Sequence, residues 1–139
     1  MNYDPNIVLP MRRELTDAGF SELLTPEQVD SVLGEKSGTV LLVINSVCGC
    51  AAGGARPGVL KAVKNQKLPV KLTTVFAGQD KLATEKARSY ILGYPPSSPA
   101  AALFKDGKLV YFMPRQEIEG FSPDQIADKL VSAFNSHCS

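Results

Sequence analysis

Residues 39–47, TVLLVINSV, are β-branched and almost continuously apolar, the pattern of a central strand covered on both faces. Ahead of this run, MRRELTDAGFSELL begins just after Pro10 and reads as helical. Thr25-Pro26-Glu27-Gln28 then pairs an N-cap with a proline at the first helical position before VDSVL, and Gly34 closes that helix. Residues 1–35 are therefore expected to form a helical extension. Behind the run, RPGVLKAVKNQ (56–66) reads as a helix whose start is blurred by Gly53, Gly54 and Gly58. VKLTTVFAG (70–78) reads as a second strand. Asp80 is placed to cap a helix through KLATEKARSYIL, ended by Gly93 and the prolines at 95 and 96. AALFKDGKLVYF is the strongest hairpin signal, two apolar runs joined around Asp106-Gly107. Ser122-Pro123-Asp124 opens a last helix in which Ile126, Leu130, Val131 and Phe134 share one face.

A strand–helix–strand unit followed by a hairpin and a helix implies a mixed sheet. The helical crossover makes parallel neighbours, and the hairpin adds antiparallel ones. The expected fold is thus α/β with a thioredoxin-like layout, a mixed central sheet flanked by helices. With 139 residues and 44% hydrophobic composition, the chain holds one core, so residues 1–139 are read as a single domain.

Charge narrows the partners. Fifteen basic against fourteen acidic side chains, spread along the chain, leave a formal net charge of +1, which argues against a nucleic-acid backbone or an anionic membrane as partner. No apolar run approaches the roughly 20 residues of a membrane span, and MNYDPNIVLPMRREL lacks the pattern of a secretory signal. The expected location is cytoplasmic. In a reducing compartment three cysteines are poor structural staples, so a close pair points to catalysis, redox sensing or metal binding.

That pair is Cys48 and Cys50, one residue apart where the apolar run gives way to a glycine-rich stretch. A thiol just past a strand, where a helix starts, meets backbone N–H groups and the positive end of a helix dipole, which favour the thiolate. Arg56 is either a second positive charge at the site or a structural cation. Inside a helix, residues two apart point to different faces, so closing a Cys48–Cys50 disulfide is expected to need local unwinding at Gly49 and to give a strained bond. The pair therefore reads as oxidising or isomerising, with the Cys48 thiolate attacking a mixed disulfide and Cys50 or a thiol from solution resolving it. The competing reading is zinc, since Cys48, Cys50, His137 and Cys138 are four ligands of the right type. Their spacing argues against it, and no metal site is assigned. Cys138 is expected some 20 Å from the pair along the last helix, at ~1.5 Å per residue. It is then a surface thiol or an inert one.

Pro99 stands immediately before the first hairpin strand, where thioredoxin-like proteins carry a cis-proline facing the nucleophilic cysteine. A cis bond there would turn the Ser98 backbone toward an extended substrate. The same topology brings Met113, Pro114 and Arg115 to the catalytic edge.

VINSVCGCAAGGARPG, YPPSSPAAALFKDGKLV and MPRQEIEG together resemble the bacilliredoxin family along nearly the whole chain. The resemblance implies removal of bacillithiol from mixed disulfides on proteins, with Cys48 attacking and either Cys50 or an external thiol resolving, and weak disulfide isomerase activity. It implies no bound cofactor: bacillithiol acts as co-substrate, the partners are bacillithiolated client proteins, and a flavin-dependent, NADPH-linked reductase regenerates the thiol pool. Gly49, Ser98, Pro99, Arg56 and Arg115 are the candidate substrate-binding residues, the two arginines because bacillithiol carries carboxylates. Compared with thioredoxin, the cysteine spacing is shorter by one, tryptophan is missing, and Leu42 stands where thioredoxin has an aspartate. No buried base is then evident for a resolving thiol. A zinc-binding or thiol-based sensor without turnover is the alternative.

Overall fold

The computed structural model describes residues 2–139. Its elements are α1 (Pro5–Thr16), β1 (Ser21–Glu22), α2 (Pro26–Leu33), β2 (Thr39–Asn45), a π-helical turn (Ala51–Ala55) running into α3 (Arg56–Ala62), β3 (Lys71–Phe76), α4 (Lys81–Arg88), β4 (Ala100–Lys105), β5 (Lys108–Met113) and α5 (Pro123–His137). The strands form one mixed sheet in the order β1-β3-β2-β4-β5, parallel on the β1, β3, β2 side and antiparallel from β2 to β5.

All of β2 is buried, as its unbroken apolar run requires. Its side chains alternate between two cores: Leu41 and Val43 join the cluster under α3 and α5, while Val40, Leu42 and Ile44 join the one under α2 and α4. Burying such side chains contributes about 1.5–3 kcal/mol each, so β2 cannot shift register by one residue without exchanging both sets. The hairpin turn forms as expected, with Asp106 and Gly107 both at positive φ (53° and 82°). Asp106 also accepts the Gly38 N–H at 2.9 Å. The last helix carries a full capping box between Ser122 and Gln125.

Expectations for the N-terminal segment and for Asp80 are corrected. The first 35 residues are not a helical extension: α1 starts at Pro5 and runs through Pro10, and Ser21–Glu22 is an edge strand paired to Thr73 and Thr74. Leu15 and Phe20 enter one core and Leu23, Val29 and Leu33 the other, so this segment is part of the domain. Arg12 fastens it, donating to both Asp80 carboxylate oxygens (2.8 and 2.9 Å) and to Glu22 (2.9 Å). Asp80 consequently sits at the start of α4 without capping it through its side chain.

Gly54 and Gly58, which blurred the start of α3 in the sequence, are one helical turn apart and face α5. A Cβ on Gly58 would lie 2.6 Å from Ile126 Cγ2 and 2.8 Å from its Cβ. These glycines set how closely the two helices approach. Gly58→Ala is accordingly expected to destabilise the fold by about 1–3 kcal/mol through overpacking, read as a lower denaturation midpoint, whereas Gly53→Ala, with open space around its Cβ, should not.

Candidate active site

The site is built where β2 ends. Asn45, its last residue, is 2% exposed, and every polar atom of its side chain is engaged. Its Oδ1 accepts the Ser46 N–H (2.8 Å) and a proton from Arg56 Nη1 (3.0 Å), and its Nδ2 donates to the Met11 carbonyl (3.2 Å). Arg56 Nη1 also donates to the Ser46 carbonyl at 2.7 Å. Its Nε lies 3.1 Å from the Glu14 carboxylate but out of line for a hydrogen bond, so that contact is Coulombic. Arg56 is 2% exposed. It is therefore not the docking cation expected from sequence: its guanidinium lies beneath the loop, joins α1 to the end of β2, and is closed to a ligand from solvent.

This clasp sets the next three residues. The Cys48 carbonyl accepts N–H bonds from Ala51 (3.1 Å) and Ala52 (3.2 Å), making Cys48 the N-cap of the helix that continues through α3. Because an N-cap is only half in the helix, its side chain is free of the helical spacing rule. The two sulfurs meet, with Cys48 Sγ 2.7 Å from Cys50 Sγ and both thiols free. The two free sulfurs are thus in contact just ahead of the π-helical turn at Ala51–Ala55.

The thiols are not equivalent. Burial, the largest single effect on Cys48, opposes its ionisation. Hydrogen bonds from the Cys50 thiol, the Ser46 hydroxyl and the amides of Ala51 and Cys50 together outweigh it, and its pKa falls below that of an ordinary thiol. Cys50 moves the other way, raised by burial, by its bond to Cys48 and by the Cys48 charge, against a lowering by the nearby Arg115. Of the two sulfurs in contact, Cys48 is thus the more readily ionised and Cys50 the less.

The opposite wall comes from the hairpin. Ser98–Pro99 is cis, and Ala100, the next residue, pairs with Ile44 of β2, so the proline loop stands at the same sheet edge as the cysteines. Arg115 follows β5, with its N–H donated to Ser97 Oγ (2.7 Å) and its Nε to Glu119 (3.0 Å), and Nη1 reaching the Ser98 carbonyl at 3.5 Å. Its side chain is 45% exposed. Gly49 is exposed and has open space around its Cα. The structure thus brings Cys48, Gly49, Cys50, Ser98, Pro99 and Arg115 to one edge and removes Arg56 from the ligand-facing set. Sequence reasoning missed Asn45 and Ser46; the available signal was the polar pair closing an otherwise apolar strand.

Cys138 is far from this edge. It is 7% exposed within the α3/α5 core, beside Thr39 at the start of β2, the full seven-residue strand away from the dithiol, or ~20 Å at about 3.3 Å per residue. Burial raises its pKa. Of the two roles open to it, surface thiol or inert one, its burial fits the inert one, and it cannot share an ion with Cys48. Among the described residues no three His, Cys, Asp or Glu side chains are grouped to hold a metal, so the four-ligand zinc reading fails on distance.

A dithiol at a helix N-terminus beside a cis-proline loop on a mixed sheet defines a thiol–disulfide protein of the thioredoxin-like fold. The fold resembles that of a thioredoxin from Malassezia sympodialis, with a TM-score of 0.56 at 18% identity over 86% of this chain and 90% of that one. The family model described as disulphide isomerase matches residues 3–138. A bacilliredoxin from Halalkalibacterium halodurans is 54% identical over 137 residues, 99% of this chain and 95% of that one. One from Cytophaga hutchinsonii is 57% identical over 133 residues, covering 96% and 98%. The chain belongs to the bacilliredoxin family.

Two measurements check the site. Alkylation of Cys48, followed by peptide mass as pH is raised, should show a midpoint below the ~8.5 of a free thiol. Cys50→Ala, which removes the S–H donor, should move that midpoint upward. Arg56→Met should cost about 2–4 kcal/mol in chemical denaturation because it leaves Asn45 and the Ser46 carbonyl without their charged donor. A docking cation would instead change substrate capture with stability unaltered.

Proposed function

We propose that this chain is a de-bacillithiolating thiol–disulfide oxidoreductase that works from the cytoplasm on bacillithiolated client proteins. The observation that carries the reading is the asymmetric dithiol: at a helix N-terminus, Cys48, whose ionisation its hydrogen bonds favour, touches Cys50, whose ionisation burial and the Cys48 contact oppose. The Cys48 thiolate attacks the bacillithiol sulfur of a mixed disulfide. The bond to the client sulfur breaks, the client leaves as a thiolate that takes up a proton, and bacillithiol remains disulfide-bonded to Cys48.

Two routes release bacillithiol from Cys48. Cys50, as a thiolate, attacks the Cys48 sulfur, expels bacillithiol and leaves a Cys48–Cys50 disulfide. Alternatively a second bacillithiol attacks the bound one, giving bacillithiol disulfide and free Cys48, and a flavin-dependent, NADPH-linked reductase recycles the disulfide. Once Cys48 is in the adduct it is no longer charged, so of the neighbouring charges acting on Cys50 only the positive one of Arg115 remains. Ionisation of Cys50 is then easier in the adduct than in the free protein, while burial still opposes it. In this reading Arg115 also pairs with a carboxylate of bacillithiol, and the backbone of Ser98 lies along the client. No bound cofactor takes part.

The test is intact-mass analysis after exposure to oxidised bacillithiol and oxidised glutathione in parallel. Expected are a Cys48 adduct formed faster with bacillithiol, no adduct and no client release in Cys48→Ser, and a stable adduct in Cys50→Ser. Equal rates with the two thiols would reject bacillithiol as the natural co-substrate.

A further inference from the structure

Beside the proline loop, near the end of β2, lies a cavity of about 270 Å³ that the dithiol chemistry does not use. Ile44, Ile91, Tyr94 and Phe112 form its apolar walls, the last two held together as a tilted aromatic pair with centroids 4.6 Å apart. Arg88, from the last turn of α4, with Ser89 and Ser97, supplies its polar lining. Arg88 makes no ion pair and no side-chain hydrogen bond among the described residues, and its Nε is buried with no acceptor. Every other arginine placed in this part of the fold is engaged: Arg12 by Asp80, Arg56 by Asn45, Arg115 by Glu119.

A guanidinium N–H removed from water and left without an acceptor is destabilising, and burial alone shifts this group against its charged form. An arriving carboxylate would satisfy it, in a low-dielectric setting that strengthens the bond. We infer that this cavity is a client-recognition pocket, in which Arg88 pairs with the carboxylate of an acidic residue on the client polypeptide while the apolar walls cover that residue's methylenes. The inference rests on the proposed thiol–disulfide exchange at Cys48.

Its position fits a polypeptide. Ser97 lines the cavity and also accepts the Arg115 N–H beside the dithiol, so a client chain passing over Ser98 and Pro99 from a cysteine engaged at Cys48 reaches the cavity within a few residues. The walls argue against the small thiol itself. The hydroxyl-rich sugar of bacillithiol would be desolvated against Ile44, Ile91 and Phe112 without partners.

The experiment uses the full chain and two peptides with one cysteine blocked as a mixed disulfide, identical except for Glu or Gln at positions flanking it. Glutathione serves as the blocking group in one arm and bacillithiol in the other, and the rate of peptide-thiol release is divided by each variant's rate on the corresponding free small-thiol disulfide. Expected is a preference of about tenfold for the Glu peptides at one flanking position with either blocking group, falling to about one in Arg88→Met, and retained in part by Arg88→Lys. The Met variant keeps the apolar walls filled and removes an unpartnered cation, so its thermal midpoint should be no lower than the parent's. Absence of a Glu preference in the parent overturns the inference, as does an Arg88→Met loss that is equally large on the free small-thiol disulfide. A preference identical in both arms leaves it standing even if bacillithiol is not the natural thiol.

Discussion

The active edge depends on one buried guanidinium. Arg56 holds the side chain of Asn45 and the carbonyl of Ser46 from below, while Glu14 of α1 lies against its other side. The turn from β2 into the helix is thereby fixed in the few residues that contain the thiols. A flexible loop would let the Cys48 sulfur exchange helix amides for water, and the preference for thiolate would fade. A fixed loop keeps amides, the Ser46 hydroxyl and the Cys50 thiol all directed at one sulfur. Preorganisation of this kind costs nothing at the moment of attack.

Two further features place that clasp. β2 is buried on both faces, so its end is a rigid reference point and not a fraying edge. The glycines at 54 and 58 let the helix that follows lie close on α5, which fixes the direction of the dipole acting on Cys48. The hairpin contributes from the other side: its pairing with β2 brings Pro99 and Arg115 to the dithiol, and its apolar outer residues continue into the cavity that Arg88 enters. Nucleophile, positive charge and recognition surface thus come from separate stretches of chain that share only the edge of one sheet.

Much of this was legible in the sequence because it is local. The unbroken apolar run of β2, the Asp106-Gly107 turn, the capping residues of α5 and the placement of Cys48 between strand and helix each follow from a few neighbouring residues and their backbone preferences. The errors were of another kind. Ser21 and Glu22 form a strand only because β3 offers free backbone groups beside them, and nothing in their own pattern announces it. Asp80 gave up its capping role to a guanidinium 68 residues away. Cys138 stands at the chain end, yet the core closes over it.

The arginines show the division most clearly. Composition counts them as equal cations, and sequence position made Arg56 and Arg115 equally good partners for a carboxylate. Folding assigned Arg56 to the interior as a structural donor, left Arg115 half in solvent beside the thiols, and put Arg88 on the wall of a mostly apolar cavity, its Nε without a partner among the described residues. What the chain determined by itself was the order of its elements and the chemistry of its cysteine pair, since both depend on residues adjacent in sequence. Which charges face a substrate, and which hold the framework, depends on desolvation and on partners distant in sequence, and these exist only once the sheet has brought them together.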